Sequence, residues 1–271
     1  MLNRNQVPMG ADGYGELKLE LLGSWRLYRD GVVVHVATRQ QRLIAALAIK
    51  GPLLRNYLVG LLWPEYPDSK ALESLRVSVH LISRQVPGLI VNEGRMLYLS
   101  DDVDVDLRRV RLQARALGGA GLQADPASLL DGLHDAQLLP GWYEDWMMVE
   151  QSRLQQDRLR AYVAIASHAI AVGDTGTAEA AAEAAVEIEP LYETAVSLLI
   201  RAELQHGNPA AALRAYERYR KQLGEDMGLL PSESVSGLLT GPLERRPGLG
   251  TERSVPPGHP WLSGQPALDH A

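Results

Sequence analysis

The first hundred residues combine two hydrophobic periods, one typical of strands and one typical of helices. Short apolar runs predict three strands, at Leu17–Leu22, Trp25–Tyr28 and Val32–Val36. Apolar residues spaced by three and four then predict three helices, at Arg42–Lys50, Arg55–Trp63 and Asp68–Val86. Two more strand-like segments, Leu89–Val91 and Met96–Leu99, flank a turn at residues 92–95. This order predicts a winged helix, a helix-turn-helix variant whose third helix reads the DNA groove.

Local signals support the boundaries of these elements. The Asp30-Gly31 pair is typical of a hairpin turn, and it predicts that the second and third strands pair. Thr38 is a plausible N-cap for the first helix. Pro64 would end the second helix, and Pro87-Gly88 would end the third.

The predicted third helix has an apolar face and a polar face. Its apolar positions are Leu72, Leu75, Val79, Ile82 and Val86, and this stripe is expected to face the core. The opposite stripe holds Glu73, Arg76, His80 and Ser83, with Lys70 and Arg84 beside it. A mixed-charge stripe is usually only a solvated helix face, but the strands before it and the hairpin after it favour DNA binding.

Side-chain chemistry suggests a role for each polar residue in that interpretation. Arg76 and His80 would contact base edges, since arginine can bind guanine through two hydrogen bonds. Arg95 at the hairpin tip would contact phosphate or the minor groove, or would serve only solubility. The DNA backbone would be held by the remaining polar residues, Lys70, Ser83 and Arg84.

Beyond residue 107 the pattern is almost entirely helical and contains an internal repeat. Gly173-Asp174 and Gly207-Asn208 lie 34 residues apart, and several residues match at the same offset: Ala178/Ala212, Ala181/Ala215 and Glu183/Glu217. A period of 34 is that of tetratricopeptide helical hairpins, whose small residues allow helices to pack closely. Because two copies are fewer than a solenoid usually needs, Trp146–Val172 is expected to supply the missing helices.

Composition fits a non-membrane protein, and the charge balance of its first half fits either an anionic partner or ordinary scatter of charged residues. The chain of 271 residues has a formal net charge of −6 and 46% hydrophobic residues. Residues 1–100 hold 12 lysines and arginines against 8 acidic residues, whereas residues 101–271 hold 15 against 25. No apolar run is long enough to span a bilayer, and the N-terminus lacks the apolar stretch of a signal peptide. The predicted location is therefore the cytoplasm.

Nothing in the sequence argues for catalysis, a cofactor or a metal. The chain has no cysteine, no HExxH and no nucleotide-binding glycine motif. Asp102, Asp104 and Asp106 resemble the start of a calcium loop, but the alternating Val103, Val105 and Leu107 predict a half-buried strand instead. Trp142 and Trp146 lie one helical turn apart, a spacing more typical of packing between helices than of ligand stacking.

Several separated motifs, in order, resemble the Streptomyces antibiotic regulatory protein (SARP) family. They are LLGSWRLYRDG, LVGLLWPEYPDSKALESLRVSVHLISRQVPG, LLPGWYEDWMMVEQSRL and AALRAYERYRKQLGEDMGLLPSESV. The resemblance runs from about Leu17 to Leu239. It implies an OmpR-like winged helix joined to a tetratricopeptide-like bacterial transcriptional activation domain. It also implies an activator that binds promoter direct repeats and recruits RNA polymerase, usually for a secondary-metabolite cluster.

The expected fold is mostly α with a small β component. The expected domains are a flexible arm (1–15), a winged helix (16–107), a helical activation domain (108–239) and a disordered tail (240–271) rich in proline and glycine. The expected partners are double-stranded DNA, RNA polymerase and a second copy of the chain.

One departure from the family pattern supports an alternative function. Leu81 and Ser83 stand where arginines are common in the family's recognition helices, and Glu73 shares their face. Fewer phosphate contacts weaken DNA binding. The alternative is a scaffold or co-regulator that acts through the helical domain without binding DNA.

Overall fold

The computed structural model describes residues 15–117, 126–134 and 136–240. The predicted arm (1–15) and tail (240–271) lie outside these residues, apart from Gly15 and Thr240. The described strands are Leu17–Glu20 (β1), Arg26–Arg29 (β2), Val32–Val33 (β3), Leu53–Leu54 (β4), Ile90–Glu93 (β5), Met96–Leu99 (β6) and Asp104–Val105 (β7). The described α-helices are Thr38–Lys50 (α1), Arg55–Leu62 (α2), Asp68–Gln85 (α3), Asp106–Leu117 (α4), Pro126–His134 (α5), Asp145–Val172 (α6), Thr175–Ile188 (α7), Glu193–Gln205 (α8), Pro209–Met227 (α9) and Glu233–Ser236 (α10). A 3-10 turn, Gly237–Leu239, follows α10.

The N-terminal half is a winged helix built on two small sheets. The first sheet has the order β3-β2-β1-β7, and β1 is antiparallel to β2 but parallel to β7. The predicted turn is confirmed, since Asp30 and Gly31 have φ values of 49° and 77°, as a two-residue hairpin loop of type I′ requires. The predicted third strand is too long, because the chain leaves the sheet after Val33.

The predicted hairpin after α3 forms the wing. Strands β5 and β6 pair antiparallel from Ile90↔Leu99 to Glu93↔Met96, and Gly94 turns between them with φ 58°. The two-residue strand β4 adds to the other edge of β6, through Leu53↔Leu97 and Leu54↔Met96. This pairing links the start of α2 to the wing, which sequence periodicity alone did not predict.

The prediction that Thr38 caps the first helix is wrong. The helix begins at Thr38, four residues before the predicted start, and the N-cap is Ala37, with φ −65° and ψ 149°. The Ala37 carbonyl accepts from the backbone N–H groups of Gln40 (2.9 Å) and Gln41 (3.0 Å), so no side-chain cap is used. The seven consecutive residues Leu43–Ile49 are buried, so α1 lies at the centre of the winged helix.

The helical half stacks antiparallel neighbours and contains the predicted repeat. Asp174 caps α7 by accepting from the Thr177 N–H (3.1 Å), and Asn208 caps α9 by accepting from the Ala211 N–H (3.3 Å). These caps lie 34 residues apart, as the repeat requires. The matched alanines are all buried, as predicted: Ala178, Ala181, Ala212 and Ala215.

Two predictions about residues 142–172 need correction. The segment Trp146–Val172 does not form several helices but belongs to the single 28-residue α6, which ends where Gly173 turns left-handed at φ 82°. The Trp142 side chain is not on that helix, because the chain enters α6 only at Asp145. Both indoles still pack in the core, with Trp146 buried and Trp142 half-buried.

The predicted strand through the three aspartates is real but short. Val103, Val105 and Leu107 are buried, whereas only Asp104–Val105 pairs as a strand. Asp106 instead begins α4, and its carboxylate accepts from the backbone N–H groups of Leu21 (3.0 Å) and Leu22 (2.9 Å). No group of acidic and histidine side chains in residues 15–117, 126–134 and 136–240 could hold a metal ion.

A continuous core joins the two halves. Backbone hydrogen bonds cross the junction, from Leu139 N to Leu21 O (2.9 Å) and from Gly23 N to Gln137 O (2.7 Å). The buried Glu150 carboxylate of α6 contacts Lys50 Nζ of α1 at 3.0 Å and Arg111 Nη2 of α4 at 3.1 Å. Among the helices that the structure describes, none is long and apolar enough to cross a membrane.

Candidate nucleic-acid interface

The core determines which face of α3 is turned to solvent. The carboxylate of Asp68 lies in the first turn, where it complements the helix dipole. The buried residues of the helix are Ala71, Leu75, Ser78, Val79 and Ile82. The Ser78 hydroxyl donates to the Ser74 carbonyl (2.8 Å), so this buried polar group is satisfied within the helix. The predicted apolar stripe therefore packs inward, and the opposite face is held outward.

The six residues predicted to contact DNA are all exposed: Lys70, Arg76, His80, Ser83, Arg84 and Arg95. In the described part of the chain, none of their side chains forms a hydrogen bond or an ion pair. Lys70 has an aromatic neighbour, because its Nζ lies 4.6 Å from the centre of the Tyr66 ring. The lysine is thereby held at the start of α3 and keeps its three donors free.

Arg55, at the first position of α2, joins the helix-turn-helix to the wing. Its Nη2 donates to Asn92 Oδ1 (3.0 Å) and its Nε donates to the Gly94 carbonyl (3.3 Å). Its backbone N–H donates to the carbonyl of Arg95 (2.9 Å). Three hydrogen bonds from one residue thus fix the tip of the wing beside α2.

A cleft of about 650 Å³ separates the N-terminal part of α3 from the wing. Three arginines line it: Arg55, Arg76 and Arg95. None of the three is paired with a carboxylate anywhere in the described residues. The cleft thus brings together two of the six predicted residues, Arg76 and Arg95, while the other four lie outside it along α3. Three positive charges with free donors are groups of the kind that bind phosphate or guanine edges in other proteins.

The surface around these cations is mixed. Asp68 and Glu73 are exposed on α3 together with Lys70, Arg76 and Arg84, so the helix face has three positive and two negative charges. On the wing, the Glu93 carboxylate accepts a hydrogen bond from the Tyr98 hydroxyl (2.7 Å), and this contact raises the pKa of Tyr98. The net positive charge of the face is therefore small.

Two apolar side chains also point outward from α3. Val77 is 50% exposed and Leu81 is 42% exposed. An apolar side chain in the major groove can contact the methyl group of thymine. The apolar periodicity of the sequence gave no reason to single out Val77, because it identifies buried residues only.

Sequence reasoning also missed Arg55. Its position at the start of an apolar helix is common for an arginine, and only the pairing of β4 with β6 places it at the wing. The sequence does carry one signal, the apolar pair Leu53-Leu54 directly before α2. A short strand at this place can pair with the wing hairpin, and the next residue, Arg55, then lies beside the wing.

Comparison with known proteins shows what the whole chain is similar to. Residues 105–239 match the family described as bacterial transcriptional activator domain. The chain is 27% identical to the regulatory protein AfsR of Streptomyces coelicolor over 258 residues, covering 91% of this chain and 26% of AfsR. It is 26% identical to the transcriptional regulatory protein EmbR of Mycobacterium tuberculosis over 254 residues, covering 85% of this chain and 64% of EmbR. The chain thus spans about a quarter of AfsR and less than two thirds of EmbR.

A solved structure has the same fold. Mycobacterium tuberculosis EmbR, determined in complex with a low-affinity phosphopeptide, superposes with a TM-score of 0.66 at 23% sequence identity. The match covers 86% of this chain and 66% of that one, so it includes both the winged helix and the helical repeats. Over nearly its whole length the chain is therefore similar to transcriptional regulators of the SARP family, and residues 105–239 are a bacterial transcriptional activator domain.

Proposed function

We propose that this protein is a sequence-specific DNA-binding transcriptional activator that acts in the cytoplasm. In this proposal α3 lies in the major groove, Arg76 and His80 contact base edges, and Arg95 contacts the DNA from the wing. The DNA backbone is held by Lys70, Ser83 and Arg84. The observation that carries the proposal is the cleft between α3 and the wing, where three arginines converge that have no carboxylate partner among the described residues. Such cations on a rigid surface favour a polyanion.

The Arg55 contacts support the same conclusion. A flexible wing would have to be ordered when it met DNA, and ordering a segment costs conformational entropy. Here the wing tip is already fixed by hydrogen bonds to Arg55 before any ligand binds. The arrangement suits a surface that must fit a duplex of fixed shape.

The wider proposal follows the family. Two copies bind direct repeats beside a promoter, and the helical domain contacts RNA polymerase and the second copy. The regulated genes form a secondary-metabolite cluster. A cluster of biosynthetic genes next to the gene for this protein would support that assignment. Run-off transcription on its promoters with purified polymerase, with and without the protein, tests activation directly.

A second function is favoured by the mixed surface of α3. With three cations against two carboxylates and two exposed apolar residues, this face also suits a protein partner. In that case the chain is a scaffold or co-regulator that acts through its helical domain.

Gel-shift titration separates the two functions. The probes are the promoter fragments beside the gene for this protein, with an unrelated duplex of equal length as competitor. The DNA-binding proposal expects a shift that survives the competitor and that the Arg76→Ala/Arg95→Ala variant weakens by at least about tenfold, because a bidentate base contact alone contributes roughly 1–3 kcal/mol.

The control variant is Arg201→Ala/Arg220→Ala, which removes two exposed arginines of α8 and α9, helices that do not line the cleft. It should bind DNA like the wild type. If no fragment is shifted at low salt, or if both double variants lose binding equally, the scaffold becomes the better explanation.

A further inference from the structure

A second and larger cleft lies where the winged helix meets the helical domain. Its volume is about 1030 Å³. One wall comes from the end of α1, from β4 and from α2, while the other comes from α4 and α6. Small-molecule sites are clefts of roughly 300–1,000 Å³ and occur preferentially at domain interfaces. The cleft thus has the size and the position between domains that are typical of a ligand site. None of the residues that we propose to contact DNA lines it.

The cations of the cleft outnumber its carboxylates. Four cations line it, Lys50, Arg111, Arg153 and Arg160, against two carboxylates, Glu150 and Asp157, which leaves an excess of two positive charges. The single Glu150 carboxylate serves three of these cations, with Arg153 Nη1 at 2.7 Å in addition to the lysine and arginine of the junction.

Burial makes this excess charge effective. The side chains of Lys50 and Arg111 are only 15% and 19% exposed, so water screens them poorly. Arg153 and Arg160 lie seven residues apart on α6, which is two turns along one face, and both are largely exposed at the mouth of the cleft. An anion that entered would meet these two guanidinium groups first.

Apolar side chains lie beside the cations. Tyr57 of α2 and Met148 and Val149 of α6 line the cleft, and each is about half exposed. Exposed apolar groups next to unbalanced positive charge match a molecule that has both an apolar body and an anionic group.

We propose that the cleft binds an anionic small molecule with an apolar body, such as an aryl or alkyl carboxylate, sulfonate or phosphate. Arg153 and Arg160 bind the anionic group, and the apolar body lies against Tyr57, Met148 and Val149. Such a ligand touches both α2 of the helix-turn-helix and α6 of the activation domain, so its presence is sensed by both domains.

The probe for the test is 8-anilinonaphthalene-1-sulfonate, an aryl sulfonate whose fluorescence increases in apolar surroundings. The full-length protein is titrated without DNA, so the result is independent of the DNA-binding proposal. We expect saturable binding of one probe per chain that weakens as sodium chloride is raised. Inorganic phosphate should compete, which shows that the anionic group is recognised and not only the aryl body.

Two variants locate the bound probe. Arg153→Ala/Arg160→Ala should raise the dissociation constant at least about tenfold, because two charge-assisted hydrogen bonds are lost. Met148→Glu places a negative charge in the cleft at an exposed position and should weaken binding as well, while both arginines remain. The matched control is Arg201→Ala/Arg220→Ala, in which Arg220 pairs with Glu217 three residues earlier, just as Arg160 pairs with Asp157. This control should bind like the wild type.

Several outcomes would overturn the proposal. One is the absence of saturable binding, and another is equal binding by the wild type and both cleft variants, which would place the probe elsewhere. If the probe fails to bind but Arg153→Ala/Arg160→Ala abolishes activation by polymerase in vitro, the cleft serves a protein partner and no small-molecule site exists. A lower melting temperature of the double arginine variant would leave Met148→Glu as the deciding measurement.

Discussion

Individual arginines of this protein fall into two groups according to whether a carboxylate neutralises them. Arg42 contacts Glu144, and Arg109 contacts Asp104. In the described residues Arg76, Arg84 and Arg95 have no such partner. An exposed ion pair stabilises a fold by only about 0–1 kcal/mol. The fold therefore loses little stability when these arginines have no carboxylate partner. They remain available for phosphate, and this is the physical basis for treating α3 and the wing as one surface.

Reading bases and holding the backbone can be separated with two single substitutions. Arg76 lines the cleft beside the wing, so Arg76→Ala should cost about 1–3 kcal/mol on the true binding site and little on unrelated DNA. Arg84 lies in the last turn of α3, and Arg84→Ala should weaken binding to both duplexes alike and reduce the salt slope by roughly one. The measurement is fluorescence anisotropy on specific and scrambled duplexes across a salt series.

Unchanged melting temperatures are the control for both variants. Equal losses for Arg76→Ala on the two duplexes would refute its assignment as a base-reading residue.

Among the elements, the wing depends on a residue outside it. Arg55→Ala removes the hydrogen bonds to Asn92 and to the Gly94 carbonyl, and Arg55→Lys cannot replace both, since lysine lacks the planar fork of arginine. We expect the amide hydrogens of residues 92–95 to exchange faster in both variants without DNA. Global stability should fall by less than about 1 kcal/mol because these hydrogen bonds are exposed. Unchanged exchange in Arg55→Ala would show that strand pairing alone holds the wing.

Close packing of α7 and α9, each against its neighbouring helix α8, gives a second prediction for the elements. Ala181 and Ala215 are buried at equivalent places of the repeat, so Ala181→Leu or Ala215→Leu should overpack the interface and cost about 1–3 kcal/mol. Ala180 precedes Ala181 on the same helix but is exposed, and Ala180→Leu is the matched control with an expected change within about 0.5 kcal/mol. Chemical denaturation of the three variants measures the difference. Equal stability of Ala180→Leu and Ala181→Leu would contradict the packing.

The elements also show what a sequence can predict. Three features could be predicted from the sequence: the apolar spacing of α3, the hairpin turn at Gly94 and the 34-residue repeat. Each is a local pattern that can be recognised without knowing which distant residues pair. The two-residue strand β4 was not predicted, because it exists only through its distant partner, with Leu53 opposite Leu97. Strand β7 was predicted but is shorter than expected, because its extent is set by pairing with the distant strand β1, with Val105 opposite Leu19. The role of Arg55 in the wing was hidden for the same reason.

On the scale of the whole molecule, the two domains share one core and one buried charge cluster. Glu150 lies on α6, and it contacts Lys50 of the winged helix and Arg111 of α4. Arg111 also donates from Nη1 to the Ile49 carbonyl (3.0 Å), so α1 and α4 are joined twice. Sequence alone could not pair residues 50, 111 and 150, whose spacing follows no period. Movement of one domain against the other must break this cluster, so we expect the domains to unfold together.

The stability contributed by Glu150 should depend on pH in a defined direction. Burial alone would raise the pKa of Glu150, but hydrogen bonds and charges from Lys50, Arg111 and Arg153 outweigh it and lower the pKa below the usual 4.5. A carboxylate whose folded pKa is lower than its unfolded pKa stabilises the fold above the unfolded value, and it loses this effect as pH falls through the folded value. The stabilisation is thus fully present at pH 7 and declines below about pH 4.5.

Glu150→Gln tests this directly. At pH 7 the substitution should lower the free energy of unfolding by about 3 kcal/mol, the lower end for breaking a buried pair, because Lys50 and Arg111 are left without their carboxylate but keep some solvent. As pH falls below 4.5 the wild type also loses this charge, so the difference between the two proteins should shrink. Glu225→Gln is the control. Within the part of the chain that the structure describes, Glu225 forms only an exposed 3.9 Å pair with Lys221, so this variant should differ little from the wild type at any pH. The measurement is urea denaturation followed by circular dichroism at several pH values, and both proteins should show one transition if the domains unfold as a unit.

Two results would contradict this account. A constant difference in the free energy of unfolding between the wild type and Glu150→Gln from pH 7 to pH 3 would mean that the substitution acts through packing. Two separate transitions in the wild type would mean that the charge cluster does not couple the domains.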